Sequence, residues 1–437
     1  MRTIALAPPA RRIALALALL LAGSLYLFAV GGGSAQAGGQ RPRTSSDVDL
    51  RRGAVYGLSN DPAGNRVVAF SRSSDGTLAP AGSFSTKGTG SGGFEDSANG
   101  LVLGSARGEA APNNLLNHGR LLFATNAGSD NLSVFRVHRR KLALVEVQNS
   151  GGAKPVSVTV NRGVVYVLNS GETVDGLTPL NCTQGARPSV TGFRVTAGGQ
   201  LTPIPGSTRH LSGQRDSGCA QVSFDPSGDV LVVTERFART AGQASEDEGV
   251  INTFVVKDNG TLGRQRIFDA TGQGPFGFTF NKRGALLTTE QFDGILGPGR
   301  GAAAGYTVSD RGRLRSTSRS VHNGGTDTCW FVVTDDGKYG YTTSFFGEGR
   351  ISSYRVGDNG SLRLLQAKAA DPAEGEVHTG ASDLALSRYS RYLYQLNSFD
   401  GTISAFRIAG DGRLMLLQVV QAHPGSGTAA PLGIAAS

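Results

Sequence analysis

Residues 384–414 read LALSRYSRYLYQLNSFDGTISAFRIAGDGRL, and they spell out one four-stranded unit. Leu384-Ala385-Leu386 is an apolar strand closed by a tight turn. Tyr392 to Asn397 forms a second strand and Gly401 to Ile408 a third. The turn Gly410-Asp411-Gly412 then leads to an outer strand from Leu414. Asp-Gly and Asn-Gly suit such hairpins because a two-residue loop requires positive φ, which Gly and Asn tolerate. The same chemistry stands at Asp75-Gly76, Asn259-Gly260 and Asn359-Gly360.

The unit recurs seven times. An aromatic is followed by a leucine at Phe70/Leu78, Phe135/Leu142, Phe193/Leu201, Phe254/Leu262, Tyr306/Leu314, Tyr354/Leu362 and Phe406/Leu414. Successive aromatics are 65, 58, 61, 52, 48 and 52 residues apart. That is the period of a four-stranded sheet and excludes a heptad or a helix pair. The expected fold is an all-β, seven-bladed β-propeller of four-stranded antiparallel blades. Both sheet faces press on neighbouring blades, so inner strands need not alternate; Val164-Val165-Tyr166-Val167-Leu168 does not. The repeats begin at Ala54-Val55-Tyr56, a second strand without a first, and end at Pro431 to Ala435, a first strand without a second. The ring is therefore expected to close through the C-terminal strand, completing blade one and removing open sheet edges.

Residues 54–437 are assigned to the single propeller, 38–53 to a polar linker and 1–37 to an export signal. Ile13 to Val30 is an apolar stretch behind Arg11-Arg12 and ahead of Ala35-Gln36-Ala37, where cleavage is expected. Left uncut, it would reach the lower bound for a membrane span. Localisation outside the cytoplasm follows from the cleaved reading. Removal of Arg2, Arg11 and Arg12 lowers the net charge of +9 to +6, and the remaining charge is scattered. Without a basic run interleaved with aromatics, nucleic-acid binding has no support. A monomer is expected.

Short turns join first to second strands and third to fourth strands. The long excursions, Lys87 to Ala111, Gly171 to Ser189, Arg236 to Glu248 and Gln291 to Ala302, are expected at the other two connections, hence on one face. Function is expected on that rim. Seven equivalent second-strand ends, Ser59, Asn126, Asn169, Glu235, Glu290, Ser344 and Asn397, are expected to encircle it. Glu235 and Glu290, in adjacent blades, are a candidate general base and acid. The plainer alternative is that these residues cap strand ends, with the carboxylates in water. Asp383 is expected to face a wet channel.

Of six histidines no two have ligand spacing, so no metal is expected. Gly88 to Gly93 lacks a following Gly-Lys-Ser/Thr, and no cofactor is expected. Cys219 and Cys329 are read at one repeat position, in blades four and six, too far apart to bond. Cys182, in an excursion on the same rim, could reach Cys219; the alternative is three free thiols.

At Gly228 to Glu235, Pro275 to Phe280, Thr328 to Trp330 and the Phe-x-Val/Ile-x-x-Asp-Gly-x-Leu pattern, complete at Phe406 to Leu414 and varied in the other blades, the chain resembles the seven-bladed propeller lactonases of the 6-phosphogluconolactonase and carboxymuconate-cyclizing type, in an exported bacterial branch. The resemblance covers roughly Ala54 to Ser437. It implies a lactone hydrolase or isomerase, with Glu290 retained and Glu235 in place of an Asp. The chain departs from the pattern elsewhere: a His-x-His becomes Cys219-Ala220-Gln221, a Pro-Arg-His becomes Pro275-Phe276-Gly277, and an Asn-Arg-Gly becomes Ser344-Phe345-Phe346. Lost basic groups weaken oxyanion stabilisation. Asn126, Asn169, Asn397, Gln221, Phe276 and Trp330 are accordingly expected to bind a neutral small molecule or a cell-envelope component. The alternative to catalysis is a non-catalytic binding propeller.

Overall fold

The closing strand lies where the repeat demands it. In the computed structural model Ile434–Ala436 pairs antiparallel with Ala54–Leu58, Tyr56 opposite Ala435, and completes the sheet whose outer members are Arg66–Arg72 and Leu78–Ser85. The structure describes residues 53–93, 97–105, 120–139, 141–171, 187–214, 217–240, 248–347, 349–370, 380–423 and 433–437. These form seven antiparallel blades. Six have four strands, and the third splits its outer strand into Leu201–Pro203 and Arg209–His210. The inner strands are Ile434–Ala436, Leu101–Gly104, Pro155–Asn161, Cys219–Phe224, Pro275–Phe280, Thr326–Val333 and Ala381–Leu386. Each touches the next, and the last touches the first, so the ring is complete.

The aromatic–leucine pairs hold the blades to one another. Phe70, Phe135, Phe193, Phe254, Tyr306, Tyr354 and Phe406 are all buried. Seven apolar clusters lie one between each pair of adjacent blades: Tyr166 and Leu168 of blade three meet Phe224 and Leu231 of blade four, for example. Burying one such side chain fully is worth roughly 1.5–3 kcal/mol, so each interface rests mainly on its cluster.

One sequence expectation fails in blade two. The stretch Lys87 to Ala111 is not one excursion, because Leu101–Gly104 is the blade's inner strand, paired with Leu121–Asn126. The connection that follows Gly104 therefore joins a first strand to a second, at Leu121, and residues 106–119 lie outside the described residues. Three apolar residues and a glycine inside a Gly/Ser-rich run were enough to make a strand. A smaller correction concerns Cys329. Inner strands of blades three to seven carry a bulge near their starts, and Thr328, not Cys329, occupies the position of Cys219, facing Ser344 as Cys219 faces Glu235. Cys329 sits in the bulge, equivalent to Ala220 and Phe276.

Candidate functional site

The bulges bring the site residues to one place. At or just before the start of each inner strand the backbone passes through the left-handed region, at Gly433, Asn99, Lys154, Gly218, Gly274, Asp327 and Gly380. For Asn99, Lys154 and Asp327 that conformation costs about 1 kcal/mol or more each, so the surrounding bonds must enforce it. The turn-and-bulge aims successive residues from different blades at the ring's axis, on the face where second strands end.

There the structure places an eighth apolar cluster, the one that does not lie between two adjacent blades. It joins Ala220 of blade four, Phe276 of blade five, and Cys329, Trp330 and Phe345 of blade six with Ala98 from the connection between blades one and two. Phe346 and Phe399 pack against it. Phe276 meets Trp330 edge-on at 5.2 Å, and Trp330 meets Phe345 at 5.9 Å. Such pairs add about 0.5–1.5 kcal/mol beyond area burial. Phe276 and Trp330, expected as ligand contacts, are thus brought together, but buried at 0% and 1% exposure. Their rings fill the mouth of the ring rather than line an open cleft.

Beside this floor lies a buried cation, Arg236, that was not among the expected site residues. Arg236 follows Glu235, donates from Nε to the Gly218 carbonyl at 3.2 Å and from Nη1 to Gln291 Oε1 at 3.1 Å. Its guanidinium stands over the rings of Phe237 and Phe276 at 4.8 and 5.4 Å. Gln291 in turn donates to Cys329 Sγ at 3.1 Å. Arg236 and Gln291 each come directly after one of the paired glutamates, a signal present in the sequence as Glu-Arg and Glu-Gln.

The two glutamates have separate sets of partners. Both are fully buried, which contradicts the expectation of water-facing carboxylates. Glu235 accepts from Ser212 Oγ at 2.8 Å, from the Ser212 N–H at 3.2 Å and from Asn252 Nδ2 at 2.8 Å. Glu290 accepts from Thr271 Oγ1 at 2.9 Å through Oε1, while its Oε2 is buried with no hydrogen-bond partner among the described residues. Burial pushes the Glu290 carboxyl above the usual range, against the pull of the Thr271 hydroxyl. The two carboxylates share none of these partners.

The arrangement repeats and has a structural meaning. Ser212 and Thr271 both belong to the connection arriving from the preceding blade, so each carboxylate bolts that connection to the end of a second strand. Elsewhere a smaller group does the same, Asn169 Nδ2 donating to the Ser150 carbonyl, while Ser344 Oγ meets Thr328 Oγ1 of its own blade's inner strand at 3.1 Å. The approach is close enough to require glycine in the connection, since a Cβ at Gly88, Gly152, Gly272 or Gly325 would lie within 2.7 Å of Asn126, Asn169, Glu290 or Ser344. Asn126 accepts from Asn65 and donates to Asn131 and Ser133; Asn397 accepts from Gln395 and donates to Thr402 and Ser404. Gln221 spends its whole amide on Phe278, donating to the carbonyl and accepting from the N–H, both at 2.8 Å, and so splices blade four to blade five. The expected polar ring is therefore drawn in between blades because second strands end beneath the connections.

A further device uses threonines one residue earlier. Thr234, Thr289 and Thr343 each donate to a bulge carbonyl of the next blade, at Phe276, Cys329 and Ser382, at 2.7, 2.8 and 3.0 Å. Their shared position before Glu235, Glu290 and Ser344 was readable in sequence. Asp383, expected in a wet channel, is buried and accepts from the Leu384, Ile434 and Asn99 N–H groups. Burial raises its carboxyl to about 7.

Cys219 is disulfide-bonded and Cys329 is free and buried. Cys182, the expected partner, lies outside the described residues, as do the apolar stretch Ile13 to Val30, the expected cut after Ala37 and the linker up to residue 52. Among the described residues no group of His, Cys, Asp and Glu could hold a metal, and no helix is long and apolar enough to cross a membrane.

Comparison with known proteins agrees with this architecture. Residues 305–425 match the family described as lactonase, 7-bladed beta-propeller. A putative 6-phosphogluconolactonase from Bacteroides uniformis superimposes with a TM-score of 0.63 at 15% identity, over 88% of this chain and 99% of that one. One from Bacteroides fragilis gives 0.60 at 16%, over 91% and 99%. The periplasmic gluconolactonase of Pseudomonas aeruginosa gives 0.59 at 14%, over 87% and 98%. At such identities the likeness establishes the fold. No curated protein matches the sequence.

Proposed function

We propose that this chain, a lactonase-like seven-bladed propeller, is an exported binding protein whose mouth receives a neutral small molecule, with Glu235 and Glu290 serving as struts and not as base and acid. One observation carries the reading. Where the resemblance would put basic groups the chain has Cys219, Gln221, Phe276, Gly277 and Phe345, and Phe276 and Phe345 join Ala220 and Trp330 in an apolar floor. A lactone's developing oxyanion needs an aimed donor or cation, whereas stacked ring faces and edges suit uncharged carbon. Arg236 is committed to Gly218, Gln291 and two rings. Export rests on Ile13 to Val30 and Ala35-Gln36-Ala37 and predicts a mature chain beginning at Gly38. A neutral cell-envelope component is a second class of occupant for the same face, and the protein acts as a monomer.

Lactone hydrolysis is the second reading, favoured by the family match over residues 305–425. Titrating the mature protein with δ-gluconolactone and γ-butyrolactone, while following Trp330 emission and lactone consumption together, separates the two. A saturable change in emission without consumption supports binding. Consumption proportional to protein, and lost in both Glu235→Gln and Glu290→Gln, supports hydrolysis.

A further inference from the structure

The connection between blades one and two reaches well beyond its neighbours. Its last four residues, Ser97 to Gly100, touch the inner strands of blades three, four and seven. Ser97 Oγ donates to the Val156 carbonyl at 3.1 Å, and the Ala98 N–H donates to the Ala220 carbonyl at 3.1 Å. The Asn99 N–H reaches the Asp383 carboxylate, while the Asn99 carbonyl accepts from the Val158 N–H at 2.9 Å. The Ala98 methyl enters the cluster of Phe276, Trp330 and Phe345. Linking adjacent blades requires none of this.

The chemistry around the strap shows what it replaces. In blades five, six and seven the bulge carbonyl is sealed by the preceding blade's threonine. Blade three has Leu168 at that position, which carries no hydroxyl, and the next bulge carbonyl, Ala220, is served by Ala98 instead. Meanwhile the Trp330 indole N–H is buried with no hydrogen-bond partner among the described residues. A buried donor left unmet is a standing cost. The cluster therefore holds an acceptor at Ala220, a donor at Trp330 and an apolar contact among three rings that the Ala98 methyl occupies. The strap meets the first and third of these and leaves the second open.

We infer that the Ser97–Gly100 strap is a resident stand-in for a neutral, amide-bearing small molecule whose site is the floor of Ala220, Phe276, Trp330 and Phe345. The ligand presents an amide N–H to the Ala220 carbonyl, a carbonyl oxygen to the Trp330 indole and a short alkyl group to the rings, and it displaces the strap on entering. The inference rests on the mouth being a binding site and adds the ligand's class and its competition with the chain itself.

Trp330 is the only tryptophan, so its fluorescence reads the mouth directly. In the wild-type mature chain acrylamide should quench it weakly. Ala98→Asp puts a charge among the rings and should expel the strap, raising the quenching constant several-fold with the far-ultraviolet spectrum unchanged. The strap sequence supplied in trans, acetyl-Ser-Ala-Asn-Gly-amide, or N-acetylalanine amide should then restore shielding saturably. If Ala98→Asp does not fold, Ala98→Gly removes only the methyl and should show a smaller rise that the same probes reverse. Unchanged quenching in the folded variants overturns the inference. So does raised quenching that neither probe reverses; that second result refutes the amide class alone, since the reading of the mouth is tested separately by the lactone titration of wild type.

Discussion

The Tyr394 hydroxyl donates to the Gly76 carbonyl at 2.9 Å, tying the seventh blade to the first across 318 residues of sequence. Gly76 belongs to the Asp-Gly hairpin that marks the repeat, so the turn signature is also an inter-blade latch. Tyr341 reaches Gly412 at 2.8 Å and Tyr166 reaches Gly260 at 2.7 Å in the same way.

These latches predict a graded mutant series. Tyr394→Phe, Tyr341→Phe and Tyr166→Phe should each lower the unfolding free energy by about 1 kcal/mol. Tyr56 faces blade two, whose turn runs through His138 and Arg139 without a glycine, and its buried hydroxyl has no partner among the described residues. Tyr56→Phe should therefore be neutral or stabilising. Denaturant midpoints of the four variants check the contrast, and a loss at Tyr56 equal to the others would refute it.

Stability should respond to pH through two buried groups of opposite sign. Asp383 is raised to about 7 by burial, against an ordinary value of 3.8. Its contribution is full below about 4 and is lost as pH rises through about 7. His423 is lowered by burial to about 4 from 6.5, so its contribution is full above about 6.5 and is lost as pH falls through about 4. Asp383→Asn should gain stability relative to wild type as pH rises from 4 to 8, by on the order of a few kcal/mol. His423→Gln should gain relative to wild type over the same window as pH falls. Urea titrations at pH 4, 6 and 8 read both slopes.

Reduction should weaken the fold. Opening the disulfide at Cys219 is expected to cost about 2–4 kcal/mol, and peptide mapping of the unreduced protein should find Cys182 joined to it. Cys329 should resist alkylation until the protein unfolds. A map that pairs Cys219 with Cys329 would contradict the register described above.

How much of this was legible in sequence follows from what each signal encodes. The Asp-Gly and Asn-Gly turns and the aromatic–leucine spacing report backbone requirements, so they located the blades and the closure by the C-terminal strand, while the register that sets Tyr56 opposite Ala435 is seen only in the structure. The bulges leave no comparable mark, and Cys329 was consequently placed one residue out of register. Leu101–Gly104 was hidden because three apolar residues and a glycine amid Gly, Ser and Asn carry no period. The surroundings of the glutamates were hidden for a different reason. In a propeller both faces of a sheet are covered, so a polar residue ending a strand points at a neighbour as readily as at water. Glu235 is buried beside Ser212, which bonds its carboxylate, a long-range fact that local pattern cannot supply.

The central claim is that a lactonase-like ring has a mouth built to hold a neutral molecule and not to hydrolyse one. Proton release measured in a pH-stat, with the mature protein mixed in turn with neutral and phosphorylated sugar lactones, tests it most directly. The account predicts release no faster than in buffer alone. Turnover proportional to protein, abolished by Glu290→Gln in a folded variant, would contradict it.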